Sequence, residues 1–311
     1  MADRRLQVFH AVAKHLSFTK AAEALFMTQP AVTFQIRQLE EHFGTRLFDR
    51  AHGRIALTEA GAMAIEYAER ILALSTEMDT RLKETSGQIA GPLLIGASTT
   101  IAEFLLPGVL GQFKSAYPAV VPRLFVANSE AVQARIAERA LDLGFIEGES
   151  HLPSLVTDVF CEDELQVVCA PSHPLAKQTS VAPASLLEHA YISREPGSGT
   201  REVIDRYLSK AGVSPDALQV VMELGSPEAI KGLVATGLGF AIMSRTTFAK
   251  EIQLGQLVHV PLGPRMFRQL CVVYPKERFH SKVVNSFVQM AMERLGTAQG
   301  AEPRRRSAAE D

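Results

Sequence analysis

Residues 18–50 read FTKAAEALFMTQPAVTFQIRQLEEHFGTRLFDR, and this stretch decides the fold of the N-terminal part of the chain. Its apolar residues recur every three or four positions, which is the spacing of one buried helix face. Ser17 and Thr28 each precede such a run, and both residue types cap helix N-termini well. Pro30 falls in the first turn of the second run, where its missing N–H costs little. The stretch therefore predicts two short helices joined by a tight turn, and a similar run from Leu6 predicts a helix in front of them.

The helix that begins near residue 29 has two different faces. One is an apolar core face, with residues spaced by three and four positions: Val32, Ile36, Leu39 and Phe43. The other carries five residues suited to DNA: Gln29, Thr33 and Arg37 at intervals of four, flanked by Pro30 and Phe34. In a helix-turn-helix the second helix lies in the major groove with its N-terminal residues on base edges. Because Gln can bond adenine and Arg can bond guanine or phosphate, we predict that these five residues contact DNA.

A short β-wing is predicted after this helix. Residues 47–50 and 55–58 are two short pieces with apolar residues, and Gly53 supplies a turn between them. Arg50 and Arg54 stand on this wing, where they would meet phosphate or the minor groove. The first 58 residues are therefore predicted to form an all-α winged helix-turn-helix domain.

The distribution of charge fits one nucleic-acid-facing module. The formal net charge of the chain is -2, but residues 1–58 hold eight basic and five acidic residues and the remainder is acidic. On composition alone, a plain three-helix domain that binds protein stays open as an alternative. The sequence pattern itself favours DNA.

The quoted stretch, followed by LTEAG at residues 57–61, resembles the N-terminal signature of LysR-type transcriptional regulators. The similarity runs from about Leu6 to Gly61, and turn, recognition helix and wing all keep their spacing. It implies base and phosphate contacts from six positions: Gln29, Pro30, Thr33 and Arg37 on the helix, and Arg50 and Arg54 on the wing. Phe34 departs from the pattern, since many members carry Arg or another polar residue there. This change either removes a phosphate contact or replaces it with an apolar contact to a thymine methyl group.

Residues 59–90 are predicted to form a long linker helix and a hinge. Thr58 can cap it, and a seam with alternating spacings of four and three follows: Ala64, Ala68, Ile71, Ser75, Met78 and Leu82. A helix this long and only half apolar needs a partner, although packing on its own domain is an alternative. The resemblance implies that this helix pairs two subunits. We therefore expect a homodimer at minimum, and family habit suggests a homotetramer.

Residues 91–296 alternate apolar strand-like runs with helical segments, which predicts parallel α/β structure with helices on both faces. The pattern recurs, so we expect two Rossmann-like lobes: lobe I at about 91–162 and 268–296, and lobe II at about 163–267. This arrangement resembles the periplasmic-binding-protein type of effector domain in LysR-type regulators. The runs DLGFIEG, HPLA and GLVATGLGFAIMS add to that similarity. Residues 297–311 are polar and are predicted to be a disordered tail.

Two strand-to-helix junctions in this domain carry hydroxyl groups and glycines suited to an anion, and ligands of open α/β sheets bind at such strand ends. One is Ser98-Thr99-Thr100, and the other is the loop SREPGSGTR at residues 193–201. The predicted effector-binding residues are Ser98, Thr99, Thr100, Ser129, Glu147, Gly197, Ser198, Gly199, Thr200, Arg201 and Ser226. Helix capping alone is the alternative role for the hydroxyl groups. The loop is similar to that of LysR-type regulators of sulfur assimilation and carbon dioxide fixation, which implies a sulfur oxyanion or a small phosphorylated or carboxylated metabolite.

Catalysis is not expected, because the chain has no G-x-x-x-x-G-K-[ST], G-x-S-x-G or H-E-x-x-H motif and no zinc-type Cys/His spacing. We expect no cofactor, no metal and no catalytic residue, and Cys161, Cys169 and Cys271 are expected to be buried structural thiols rather than a peroxide switch. No apolar run reaches the length of a membrane span, so a cytoplasmic protein without a membrane partner is expected. The expected partners are double-stranded promoter DNA, a second copy of the chain and a small-molecule effector, with RNA polymerase as a further candidate. DNA binding without any effector is the remaining alternative.

Overall fold

In the computed structural model, residues 3–49, 55–84, 89–276 and 281–297 are described, and the chain divides into two units, Met1–Gln88 and Ile89–Asp311. The elements of the first unit are α1 (Arg4–His15), α2 (Phe18–Ala24), α3 (Gln29–Phe43), β1 (Phe48–Asp49), β2 (Ala56–Leu57) and α4 (Glu59–Glu84). Three of the helices begin at a side-chain cap. Asp3, Ser17 and Thr28 accept hydrogen bonds from backbone N–H groups in the first turns of α1, α2 and α3.

The core of the first unit is built on the predicted apolar face of α3. Val32, Ile36 and Leu39 are buried against residues of α1 and α2. Phe43, the fourth residue of the predicted face, is instead exposed, because it is the last residue of α3. The ring of Phe48 lies 5.5 Å from that of Phe9 and 5.8 Å from that of Phe18, so the first wing strand closes this core.

Two short strands are present where the sequence predicts a wing. β1 pairs with β2 in antiparallel register, while the predicted wing residues Arg50 and Arg54 lie outside the described residues. Gly61 lets α4 approach β1 closely, because a Cβ atom at this position would lie 2.0 Å from the carbonyl oxygen of Leu47. Thr58 bridges the same junction, since its hydroxyl accepts a hydrogen bond from the backbone N–H of Gly61 at 3.0 Å and donates one to the carbonyl oxygen of Arg46 at 2.7 Å.

Helix α4 has 26 residues, a length of about 39 Å at 1.5 Å per residue. Ala68 from the predicted seam is buried in the core of the first unit and Ala64 packs against it, so the first two residues of the seam pack on their own domain. The large exposed apolar side chains of α4 form another stripe: Met63, Tyr67, Ile71, Leu74, Met78 and Leu82. These six lie within about 100° of helix surface at 100° per residue. The face left for a partner is therefore rotated relative to the predicted seam.

The second unit contains one large sheet, a separate strand pair and surrounding helices. Its strands are β3 (Gly91–Ser98), β4 (Val120–Ala127), β5 (Leu143–Glu147), β6 (Leu155–Cys169), β7 (Ala190–Arg194), β8 (Gln219–Leu224), β9 (Ala241–Ser244), β10 (Val258–Val260) and β11 (Met266–Pro275). Its α-helices are α5 (Thr99–Phe104), α6 (Leu106–Ala116), α7 (Ser129–Ala137), α8 (Gly199–Lys210), α9 (Pro227–Ala235), α10 (Ala249–Gln253) and α11 (Lys282–Thr297). The predicted tail beyond Thr297 lies outside the described residues.

The large sheet is mixed, whereas the sequence predicted parallel sheets. Its order is β10-β6-β11-β5-β3-β4, with β9 also on β6. The parallel part is confirmed, because β3 pairs in parallel with β4 and with β5. The difference arises from β6 and β11, two long strands that pair antiparallel from Met266↔Leu165 to Pro275↔Leu155. The predicted lobe boundaries at residues 162/163 and 267/268 fall inside these two strands, which run from one α/β part of the unit to the other.

The two largest buried apolar clusters among the described residues of the second unit reflect this arrangement. One packs β3, β5 and β11 under α6 and α11, where the rings of Phe113 and Phe287 lie 4.9 Å apart. The other packs β6 and β9 against α8 and includes Leu165, Ile204 and Phe240. The carboxyl ends of β3, β5 and β7 lie where these two parts meet.

Candidate functional site

The exposed face of α3 is the one predicted to contact DNA. Gln29, Pro30, Phe34 and Arg37 are exposed and Thr33 is half-buried. Two weak surface pairs hold the polar members: Gln29 Nε2 donates to Thr33 Oγ1 at 3.0 Å, and Arg37 Nε donates to Glu41 Oε1 at 3.1 Å. Exposed pairs of this kind contribute little to stability, so these side chains can exchange their present partners for DNA at small cost.

Glu40 anchors α3 and was not identified as a site residue from the sequence. Its Oε1 accepts hydrogen bonds from the backbone N–H groups of Leu47 at 2.8 Å and Phe48 at 3.2 Å. These bonds connect α3 to the first wing strand. A carboxylate that accepts two backbone N–H groups fixes the position of the helix on which it stands.

In the second unit, Glu147 at the end of β5 joins two predicted hydroxyl residues. Ser98 Oγ donates to its Oε1 at 2.9 Å and Ser129 Oγ donates to its Oε2 at 2.6 Å. Glu147 is 4% exposed. Burial acts to raise the pKa of Glu147, but Arg268 and Arg194 nearby and the two hydroxyl bonds outweigh it and lower that pKa below its ordinary value. The carboxylate is therefore held ionised.

Arg268 on β11 is the centre of a buried charge cluster. Its Nε donates to Asp163 Oδ2 at 2.7 Å, its Nη1 donates to Thr200 Oγ1 at 2.6 Å, and Nη1 lies 3.6 Å from Glu147 Oε1. Ser244 Oγ donates to the other oxygen of Asp163 at 2.7 Å. The cluster thus connects β5, β6, β9, β11 and the start of α8. Sequence reasoning identified neither Arg268 nor Asp163.

Arg194 is the second buried arginine of this region. It is 6% exposed, and its guanidinium donates from Nη2 to Thr99 Oγ1 at 3.0 Å and from Nε to Glu195 Oε2 at 2.8 Å. The sequence placed Arg194 in the candidate loop but predicted Arg201 as the cation of the site. Arg201 instead contacts Glu223 and the carbonyl oxygen of Arg194, so Arg194 is the arginine that reaches the first strand-to-helix junction.

The glycines of the second loop permit close approach to α7 and β5. A Cβ atom on Gly197 would lie 2.5 Å from Glu130 Oε2, and one on Gly199 would lie 2.6 Å from the carbonyl oxygen of Glu147. Backbone bonds support the same contact, because the N–H of Glu130 donates to the carbonyl oxygen of Gly197 at 3.1 Å. Ser198 and Ser226 accept first-turn N–H bonds of α8 and α9, which is capping.

A small space remains between these groups. Thr100 and Thr200, both predicted, face it together with Arg194, and the rest of its lining is Pro227, Ile230, Ile242, Met243, Ser244 and Thr247. Its volume is about 10 Å³, which is room for about one water molecule. The polar groups of the cleft are thus paired mainly with one another, and the remaining space is too small for a metabolite.

The thiols are placed for packing. Burial raises the pKa of Cys161 to about 12, that of Cys169 to about 11 and that of Cys271 to about 12. A thiol with so little thiolate is a poor peroxide sensor. Among the described residues, no cluster of three or more His, Cys, Asp or Glu could hold a metal ion. Over the same part of the chain, every helix is too short or too polar to cross a membrane.

Comparison with known proteins agrees with this geometry. Residues 4–62 match the bacterial regulatory helix-turn-helix protein model of the lysR family, and residues 86–296 match the LysR substrate binding domain. The chain therefore belongs to the LysR family of bacterial transcription regulators. It is a LysR-type transcription regulator with an N-terminal winged helix-turn-helix and a C-terminal α/β effector-binding domain.

Individual relatives and solved structures show which members of the family this chain is similar to. The chain is 36% identical to the probable RuBisCO transcriptional regulator of Cyanidioschyzon merolae over 292 residues, covering 93% of this chain and 96% of the relative. It is 37% identical to the protein of that name from Cyanophora paradoxa over 287 residues, covering 91% and 89% of the two chains. The Synechocystis CcmR regulatory domain in complex with 2-PG is 28% identical, with a TM-score of 0.61 over 67% of this chain and 98% of that chain. A full-length OxyR variant from Pseudomonas aeruginosa shares the fold, with a TM-score of 0.70 at 20% identity over 95% and 94% of the two chains.

Proposed function

We propose that this chain binds promoter DNA through the exposed face of α3 and that a small anion bound between the two parts of the second unit modulates that binding. Residues 1–58 would form the DNA-binding domain, 59–90 the pairing helix and hinge, and 91–296 the effector domain. Gln29 and Thr33 would contact bases, and Arg37 a guanine or a phosphate. Pro30 and Phe34 would supply apolar contacts, and Arg50 and Arg54 on the wing would contact the backbone.

Pairing through α4 would place two recognition helices on one operator. Its exposed apolar stripe continues over about five turns, which is long for the surface of a single domain. A second contact between copies is supported by two strand edges with exposed apolar side chains, Val121 and Val126 on β4 and Val220 and Val221 on β8. We therefore propose a homodimer that assembles further into a homotetramer. Sedimentation velocity at micromolar concentration tests this, and a monomer would contradict it.

The observation that carries the effector proposal is the pair of buried arginines at the strand ends. Arg194 and Arg268 each donate to a predicted hydroxyl residue, Thr99 and Thr200. Buried guanidinium groups beside threonine hydroxyls and the start of α8 form a donor set suited to phosphate, sulfate or carboxylate oxygens. Helix capping alone does not account for them, because neither arginine caps a helix.

Charge balance suggests how an anion enters. Two arginines face three carboxylates in this cleft, those of Glu147, Asp163 and Glu195, so the cleft has no excess of positive charge. Glu195 is the most exposed of the three, with 24% of its side chain accessible. It would therefore be displaced first, and an effector anion would replace it on Arg194. This exchange would alter the contacts between the Gly197 loop and α7 and so the geometry of the effector domain.

Thermal-shift titration of the full-length chain tests the proposal. 2-PG is the first probe, because the CcmR neighbour was solved with it, and sulfate, sulfite and phosphoenolpyruvate follow. An anion at one hundred times its Kd should stabilise the folded chain by about 2.7 kcal/mol. Thr100→Val should weaken the affinity for the anion about tenfold, which at the same anion concentration leaves about 1.4 kcal/mol of stabilisation. Thr179→Val, at an exposed position of the same chain, should leave the affinity unchanged. Glu195→Gln should tighten anion binding severalfold, because Arg194 then loses its charged competitor.

A chain that shifts with none of these anions would contradict the effector proposal, and tighter binding in Thr100→Val would contradict the assigned site. We further propose that the chain acts without catalysis, in the cytoplasm, with RNA polymerase as the partner that receives the regulatory signal. Buried thiols of high pKa argue against the alternative of a peroxide switch. Footprints of promoter DNA with and without 2-PG separate effector control from regulation by protein concentration alone.

A further inference from the structure

Phe26, in the turn between α2 and α3, combines two unfavourable features. Its side chain is 99% exposed, although a phenylalanine ring is strongly stabilised by burial. Its backbone has φ +53°, in the left-handed region that L-residues rarely adopt and that β-turns and helix ends usually assign to glycine. Neither feature helps the first unit to fold.

The local hydrogen bonds show why the backbone adopts this conformation. The N–H of Met27 donates to the carbonyl oxygen of Ala22 at 2.9 Å, and the N–H of Phe26 donates to that of Glu23 at 3.2 Å. This pair of bonds is a Schellman motif at the end of α2, and Phe26 occupies the position where glycine is preferred. Met27 turns inward and packs on the core, so the motif orients the Phe26 ring outward. Glycine would form the same turn with less strain and without an exposed ring.

We propose that Phe26 is a DNA-contacting residue whose ring packs against deoxyribose groups at the edge of the major groove. This inference rests on the proposed placement of α3 in that groove. Phe26 is three residues before Gln29, so the two Cα atoms are at most about 11 Å apart along the chain. The major groove is about 12 Å wide. When Gln29 reaches base edges, a side chain at this distance on the entering turn lies at the sugar–phosphate rim.

The ring of Phe26 carries no charge, so the salt dependence of DNA binding distinguishes its contact from that of a lysine or arginine. A lysine or arginine contact to phosphate releases counterions and steepens the salt dependence of binding. An apolar contact to sugar carbons adds affinity but leaves this slope unchanged. Burial of about 50 Å² of ring surface corresponds to about a fivefold to tenfold gain in affinity.

The test compares Phe26→Gly and Phe26→Asn with the unchanged full-length chain, because both replacements tolerate a positive φ. Each is measured for thermal unfolding and for affinity to a duplex from upstream of its own gene at several salt concentrations. We expect an unfolding midpoint that is unchanged or higher, affinity about fivefold to tenfold weaker, and an unchanged salt slope. Phe43→Ala is the matched control, because it removes an exposed ring at the opposite end of α3 and should leave affinity unchanged.

The replacements of Phe26 must therefore weaken DNA binding without lowering the stability of the fold. A lowered unfolding midpoint would overturn the proposal, since the ring would then serve the fold. Unchanged affinity together with loss of the dimer or of promoter activation would also overturn it, since the ring would then contact a second copy or another protein. Arg37→Ala distinguishes this failure from failure of the proposed function: if Arg37→Ala weakens binding and Phe26→Gly does not, only the Phe26 contact is wrong.

Discussion

Arg268→Met removes a buried cation from between two buried carboxylates. The side chain of Arg268 is 0% exposed and those of Asp163 and Glu147 are 2% exposed, so water cannot replace the lost charge. Removal of one partner from a buried ion pair costs about 3–5 kcal/mol, because the remaining charge is left uncompensated. Methionine is close to arginine in length, which limits the loss of packing. We expect the effector domain to unfold about 10 °C lower at pH 7, at about 2–4 °C per kcal/mol for a domain of this size.

Differential scanning calorimetry of the full-length chain measures this shift. Arg206→Met is the matched control, since Arg206 is half exposed and pairs with Glu202 on the surface of α8. An exposed pair of this kind contributes at most about 0.5 kcal/mol.

Partial rescue provides a second check. Neutralising both carboxylates in the Arg268→Met background, with Glu147→Gln and Asp163→Asn, should recover at least half of the loss, because no buried charge is then unpaired. If Arg268→Met unfolds within about 2 °C of the unchanged chain, or if the triple variant is less stable than the single one, the reasoning about a buried charge cluster is refuted.

Three further predictions follow from other parts of the molecule. The pKa of Glu147 is lower in the folded chain than its unfolded value near 4.5, so its ionisation stabilises the fold above that pH, and this stabilisation is lost as the pH falls further. Calorimetry between pH 3 and 6 should therefore show that Glu147→Gln loses less stability in acid than the unchanged chain. Identical pH profiles of the two chains would contradict this. Gly61→Ala should destabilise the first unit by about 1–3 kcal/mol, because the added Cβ would overlap the Leu47 carbonyl oxygen. Gly108→Ala on α6 is the control and should be neutral or stabilising, because no atom lies within 4 Å of its added Cβ. Unfolding of both variants is followed by circular dichroism. Iodoacetamide at pH 8 should alkylate the folded chain more than a hundredfold more slowly than free cysteine, because burial raises the pKa of the three thiols to about 11 to 12. Mass spectrometry measures the extent of alkylation over time. Alkylation of the folded chain within minutes would contradict this prediction.

The sequence was informative where structure depends on neighbouring residues. Ser17 and Thr28 cap α2 and α3 as predicted, because capping needs only a side chain and the next turn. The core face of α3 is likewise confirmed for Val32, Ile36 and Leu39, since periodicity alone determines it.

Contacts between distant residues could not be predicted in the same way. Arg268 and Asp163 are 105 residues apart and meet because β6 and β11 pair antiparallel, a pairing that leaves no local pattern. The sequence predicts Arg201 rather than Arg194 as the cation of the site, because charge in a loop does not reveal which arginine is buried. Burial of Ala68 in the first unit depends on tertiary packing, which a heptad pattern does not specify.

The most direct test of the account is the salt dependence with which the full-length chain binds a duplex carrying the region upstream of its own gene. The recognition face of α3 predicts binding that weakens steeply with salt. Arg37→Ala should weaken it at every salt concentration, and if Arg37 contacts phosphate it should also lower the slope of log K against log salt by about 0.9 per contact. A duplex that shows no salt-sensitive association, together with no change in Arg37→Ala, would contradict the placement of this helix on DNA.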